Sequence, residues 1–204
     1  MTSMQLGGAF GLRGLRTKIV DMDQQGTSLI WFAQAKPEKP FPADVETLAP
    51  LKDQMIRLIG KCAEDYDIII IDCPPAIESS IPWAALNIAD VGLIPVIPVL
   101  DNVWASNKAR ELAIRAKQEN PTLKTYYIGS MLRRGNLFKG CMALLQSDKE
   151  VPMLKSTLSM RNAFPESQLD GTTVHSFGRN TPATLEVEAL ADELLGIVGL
   201  EMEN

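Results

Sequence analysis

Residues 66–80 read YDIIIIDCPPAIESS. Four consecutive isoleucines, Ile68 to Ile71, cannot alternate between a wet and a dry face, so they belong to a strand covered on both sides, as in a parallel sheet. The run stops at Asp72, and the prolines at 74 and 75 prevent its continuation. Similar runs occur at Leu15 to Met22, Val91 to Val99 and Thr125 to Met131. Helical patterns lie between them. Leu48, Leu51, Met55, Leu58, Ile59 and Cys62 recur at three- and four-residue steps, predicting a helix over Val45 to Ala63. Val103 to Gln118 and Leu137 to Leu145 predict two more. Thr181 caps a last helix with Pro182 in its first turn and Leu185, Ala189, Leu190 and Leu194 as its buried stripe. This alternation predicts an α/β fold, a mostly parallel sheet flanked by helices and joined by right-handed crossovers.

The totals set bounds on that reading. The 204 residues are 46% hydrophobic and 22% charged, with a mean hydropathy of +0.01, as in an ordinary globular chain. That length suits one domain over 1–204, and the proline-rich segment 33–44 reads as a surface connection within it. The longest apolar stretch, Val91 to Leu100, is ten residues broken by Pro95 and Pro98, well short of the roughly 20 that cross a bilayer. Its first fifteen residues lack a basic start followed by an apolar run, so the expected location is the cytoplasm. Cys62, Cys73 and Cys141 are widely spaced and odd in number, which predicts reduced, buried thiols. A lone histidine, His175, leaves little scope for zinc sites or histidine-based nucleophiles. A formal net charge of −5 gives no global attraction for nucleic acid. Any DNA contact would therefore rest on a local cluster such as Lys108, Arg110, Arg115 and Lys117.

In an open parallel sheet, ligands collect beyond the carboxyl ends of the strands. Three such ends carry distinctive side chains: Asp21, Asp23 and Gln25; Asp72, Cys73 and the Pro74–Pro75 pair; and Arg133 with Arg134. A carboxylate at the tip of a buried aliphatic strand is held rigidly enough to bind Mg²⁺ directly or through water, the Walker B arrangement. The plainer reading is that Asp72 caps a turn.

Taken in order, these segments resemble the ParA/MinD family of deviant Walker ATPases, in the branch that partitions plasmids and chromosomes. VDMDQQG (20–26) resembles the family's D-x-D-P-Q-G segment, with Gln24 in place of proline. DYDIIIIDCPPAIES (65–79) resembles its Walker B strand and Pro-Pro turn. ALNIADVGLIPVIPVLDNVWAS (85–106) and STLSMRNAFPESQLDGTTV (156–174) are similar to the stretches that follow. The resemblance implies one nucleotide-binding domain with ATP and Mg²⁺ as cofactors. Asp23 is then the carboxylate that orients the attacking water, Asp72 the Mg²⁺ ligand, Asp21 a partner behind the phosphates or metal, and Pro74 part of the nucleotide-binding turn. Arg133 and Arg161 fall where the family builds its base-binding wall. A homodimer in the ATP-bound state, a centromere-binding partner protein and non-specific DNA follow from the same likeness; no membrane contact is expected, because no stretch is long enough to span a bilayer and the chain does not end in a basic amphipathic helix.

The family's phosphate loop, G-x-x-x-x-G-K-S/T, matches nothing in the 204 residues. TSMQLGGAFGLRG (2–14) resembles instead the helix that follows that loop. The expectation is therefore that the first strand, the loop and its lysine lie upstream of a start called too late, and that this chain alone is inactive. Two rivals stand beside this reading. One is a non-catalytic ParA-like scaffold that binds partner protein or DNA. The other is a different deviant-Walker enzyme, such as a division-site regulator or an amidotransferase-like ligase. The acidic end LADELLGIVGLEMEN (190–204) is unlike the basic amphipathic helix of a membrane-targeted regulator.

Overall fold

The computed structural model describes residues 1–75 and 79–200, so Ala76–Glu78, part of the Pro-Pro motif, lie outside it. The elements in chain order are α1 (Thr2–Leu12), β1 (Thr17–Asp21), α2 (Thr27–Ala33), β2 (Asp44–Thr47), α3 (Met55–Cys62), β3 (Ile68–Asp72), α4 (Ser80–Ile88), β4 (Val91–Val96), α5 (Leu100–Ala105), α6 (Asn107–Glu119), β5 (Lys124–Gly129), α7 (Asn136–Gln146), α8 (Ala163–Leu169) and α9 (Pro182–Val198). All strand pairing is parallel, in the orders β2-β1-β3 and β4-β5, so the predicted α/β class is borne out. The contacts divide the chain into a first unit, 1–85 with 162–191, and a second, 86–161 with 192–204.

In the first unit, β1 is the central strand and sends its side chains to two cores. Ile19 joins Met4, Trp31, Phe41 and Ala43 on one face, while Val20 joins Met22, Leu48, Met55, Ile59 and Ile81 on the other. α1 lies against β1 and β3 through its glycines. A Cβ on Gly7 would stand 2.5 Å from Ile19 Cδ1, and one on Gly11 only 1.7 Å from the Pro42 carbonyl oxygen. Helical glycine costs roughly 0.5–1 kcal/mol relative to alanine; the close packing of helix on strand and loop is what that cost permits. The glycines of GGAFGLRG thus serve helix packing. Fully buried Gln5 holds the same helix from its other side, donating to Ser167 Oγ (2.9 Å) and accepting from the Val174 amide (3.0 Å).

In the second unit, Val96, Ala113, Tyr127, Leu145 and Val151 form the core. Pro152 and Leu154 extend the hydrogen bonding of β5, with Tyr127 N donating to Pro152 O and Leu154 N to Tyr127 O. Asn120 ties the end of α6 to the turn before β4 by donating to the Leu86 and Ala89 carbonyls.

Five sequence expectations need correction. The start of the predicted 45–63 helix is strand β2, whose alternating exposed and half-buried residues suit an edge; a 3-10 turn, Ala49–Gln54, follows with Pro50 in its first turn and leaves Leu51 exposed. The 103–118 helix is two helices, α5 and α6, meeting at Ser106. Thr181 does cap α9, its Oγ1 accepting from Thr184 N at 3.2 Å, but the buried stripe is Ala183, Val187, Leu190, Ala191 and Leu194 while Leu185 and Ala189 face solvent. Finally, β3 is half-buried along its whole length rather than covered on both sides. Among the described residues only β1 pairs with it, and only β5 pairs with β4, where Pro95 is compatible with an edge position. Cys141 is buried as expected, but Cys62 and Cys73 are only half-buried; all three thiols are free.

Candidate functional site: the carboxyl ends of β1 and β3

Register places Asp21 directly beside Asp72 at the ends of neighbouring strands. Asp21 is fully buried. Its Oδ1 accepts from Asp23 N and its Oδ2 from Ser28 N, each at 3.0 Å, so both ends of the 23–28 turn hang from one carboxylate. Within that turn Asp23 Oδ1 accepts from Gln25 N (3.0 Å), and Gly26, at φ +62°, supplies the left-handed residue that lets α2 begin. Gln24 is exposed, so the missing proline leaves the turn closed by these bonds. Asp23 itself is half-buried, with one carboxylate oxygen outside this pattern.

Asp72 is held differently. Ser3 Oγ, in the first turn of α1, donates to its Oδ1 at 2.8 Å, and Ser28 Oγ, in the first turn of α2, donates to its Oδ2 at 2.7 Å. Each oxygen retains a lone pair, because an ionised carboxylate offers about four acceptor sites. One half-buried carboxylate flanked by two hydroxyls is a donor set that fits Mg²⁺, which is commonly held by one or two carboxylates with phosphate and water supplying the rest. No group of three or more His, Cys, Asp and Glu side chains among the described residues is arranged as a cage that would hold a metal without such added ligands. Beside Asp72, burial and the neighbouring carboxylate push the Cys73 thiol up to about 12, so the free thiol stays protonated. Pro74 is half-buried at the head of the turn. Ser3 and Ser28 carry no sequence motif of their own; a serine two residues into a helix beside a strand-end aspartate was the available signal.

The second unit carries the predicted arginines. Leu132 and Ser159 form a parallel bridge after β5, and Arg133 stands next to Met160 (Nε to Sδ, 2.9 Å). Arg133 is exposed and Arg161 half-buried. Ser130, at the end of β5, has a buried hydroxyl without a hydrogen-bond partner, and Met131 takes the left-handed conformation (φ +52°) as the chain leaves the strand. The four basic residues of α6 do not form one patch. At about 100° per residue, Lys108 and Arg115 share one side and Arg110 and Lys117 the opposite one, and Arg110 is paired with Asp148.

No protein-family model matches the chain. Its fold is that of the MinD- and ParA-type P-loop ATPases. The putative plasmid partition protein of Borrelia burgdorferi bound to AMPPNP superposes with a TM-score of 0.74 at 15% identity, covering 96% of this chain and 92% of that one. MinD of Pyrococcus horikoshii, complexed with Mg-ADP, gives 0.71 at 16% identity, covering 100% and 93%. In sequence the chain is 24% identical over 181 residues to the maintenance of carboxysome distribution protein A of Halothiobacillus neapolitanus, spanning 88% of this chain and 83% of that protein. The resemblance to the ParA/MinD family read from the motifs is thereby borne out.

Proposed function

We propose that the chain carries the metal-binding and water-orienting part of a ParA-type ATPase that works in the cytoplasm, and that its two units belong to one nucleotide-binding domain. The observation that carries this reading is Asp72 between the Ser3 and Ser28 hydroxyls at the carboxyl end of a parallel sheet, with the Asp23 turn alongside. When bound, Mg²⁺ would supply charge neutralisation on the phosphates. Asp72 and the Ser3 hydroxyl are the groups that would hold it, with Asp21 fixing the turn behind them and Pro74 bounding it. Asp23, one oxygen engaged by Gln25 N, would orient a water with the other for in-line attack. Arg133 and Arg161 are proposed as contacts to the base, and the unpartnered Ser130 hydroxyl supports a polar ligand near that strand end.

The reaction would be hydrolysis of the β–γ bond of ATP, driving a cycle of homodimer formation and non-specific DNA binding under a centromere-binding partner, with plasmid or chromosome as cargo. The relative named for carboxysome distribution supports a second reading, in which the same cycle positions a non-DNA cargo. No helix among the described residues is long and apolar enough to cross a membrane.

Triphosphate binding needs backbone N–H donors and a lysine, and the chain contains no G-x-x-x-x-G-K-S/T. The test compares the 204-residue chain with a version extended at its amino end by a strand and such a loop. Calorimetry with Mg-ATP should show micromolar binding and dimerisation for the extended form and none for the short one. Failure of the extended form to bind would favour a non-catalytic scaffold.

A further inference from the structure

The hydrogen bonds at the two strand ends form one continuous path, from Asp23 N to the Asp21 carboxylate, from Ser28 N to that same carboxylate, and from Ser28 Oγ to Asp72. Ser28 is the only residue on this path that touches both aspartates. It is 2% exposed, and a hydroxyl has a single proton to donate. That proton goes to Asp72 Oδ2 at 2.7 Å, the short length of a charge-assisted bond. Ser3 fixes the other oxygen from α1, so the plane of the carboxylate is set by two elements. Only the Ser28 side leads back to the Asp23 turn.

The geometry points to Ser28 as a positioning residue: its hydroxyl aims the Asp72 carboxylate while its amide shares Asp21 with Asp23, so a divalent cation arriving at Asp72 is felt at the Asp23 turn. This rests on the metal role proposed for Asp72 and adds to it a physical link between cation and water-orienting carboxylate. Were a cation held at Asp72, Oδ2 would become a weaker acceptor for the Ser28 hydroxyl, and the first turn of α2 would adjust to that change. The Asp21 oxygens would then carry that shift to Asp23 N, because a fully buried carboxylate holding three amides has little freedom to absorb it.

The path can be tested on the 204-residue chain without nucleotide. Amide spectra would be recorded during titration with Mg²⁺, with Mn²⁺ as a paramagnetic reporter of position, for the wild type, Ser28→Ala and Ser28→Thr. In the wild type, Mn²⁺ should broaden Ser3 and Cys73, and Mg²⁺ should shift Asp23 and Gln25 with the same midpoint. Ser28→Ala should raise that midpoint about fivefold, the equivalent of one hydrogen bond, and abolish the response at Asp23 and Gln25 while leaving broadening at Ser3. Ser28→Thr, which keeps the hydroxyl, should restore both. An unchanged midpoint and turn response in Ser28→Ala overturns the role of Ser28 while leaving the metal assignment standing. Absence of any cation effect at Ser3 and Cys73 in the wild type overturns a cation site on Asp72 in this chain without nucleotide, and the link with it. Should Ser28→Ala fail to fold, the Ser28 amide of the wild type, which donates to Asp21 Oδ2, gives the same decision: movement in step with Asp23 N sustains the link, and indifference to Mg²⁺ removes it.

Discussion

Asp21 and Asp72 occupy paired positions on adjacent parallel strands, yet their surroundings differ completely. Asp21 is fully buried and meets backbone amides; Asp72 is half-buried and meets two side-chain hydroxyls. Backbone donors cannot leave, so Asp21 is committed to holding the 23–28 turn. Hydroxyls can rotate and act as donor or acceptor, so Asp72 can exchange partners for a ligand. The difference teaches that donor type and depth, rather than residue identity, separate a structural carboxylate from one free to do chemistry.

The comparison breaks first at Asp21. Asp21→Ala removes one carboxylate and strands the amides of Asp23, Ser28 and Leu29, so it should cost about 3 kcal/mol of stability in urea unfolding, whereas Asp72→Asn should stay within about 1 kcal/mol. Similar losses for the two would erase the distinction. Next, Asp23→Ala in the loop-extended chain should leave ATP binding within about twofold and lower turnover by about 100-fold, since its side chain bonds only within its own turn. Turnover equal to wild type would remove Asp23 from the chemistry.

Gly11→Ala sharpens the comparison from a distance. The added carbon would meet the Pro42 carbonyl, displace α1 and loosen Ser3 from Asp72 without touching the Asp21 bonds. A loss of about 2 kcal/mol is expected, with faster amide exchange at Ser3 than at Asp23. The smallest effect concerns Asp148 in the second unit. Like Asp21 it takes backbone amides, those of Glu150 and Val151, but it adds the Arg110 guanidinium, which together with those amides holds it below its ordinary value despite burial. A depressed carboxyl contributes stability that is present above its unfolded pKa and lost as pH falls through the folded one. The wild type should therefore exceed Asp148→Asn by about 1 kcal/mol near neutral pH, with the gap closing in denaturant melts as pH falls below the ordinary carboxylate range.

Much of this molecule is written locally. The runs around 17–21, 68–72, 91–96 and 124–129 are strands because β-branched and aromatic side chains crowded over a few positions suit extended backbone, and Thr181 with Pro182 starts α9 because cap chemistry acts within one turn. The pairing of Asp21 with Asp72 was approachable too, since carboxyl ends of parallel strands converge. Segment 45–54 misled because its apolar spacing fits a helix equally well, and only pairing with β1 makes Val45 part of a strand. Leu185 misled for a related reason: α9 is apolar on more than one side, and neighbours rather than periodicity choose which side is buried.

By itself the sequence determined the α/β alternation, the parallel strands, the two strand-end aspartates and the family likeness, all of which depend on side-chain type over a few consecutive positions. Only the tertiary structure decided that Gly7 and Gly11 serve packing of α1, that Arg110 pairs with Asp148, and that Ser3 and Ser28 close on Asp72 from 69 and 44 residues away along the chain. Such partners leave no local trace, because a hydroxyl is an ordinary surface group until folding brings a carboxylate within hydrogen-bonding distance and excludes the water that would otherwise satisfy both.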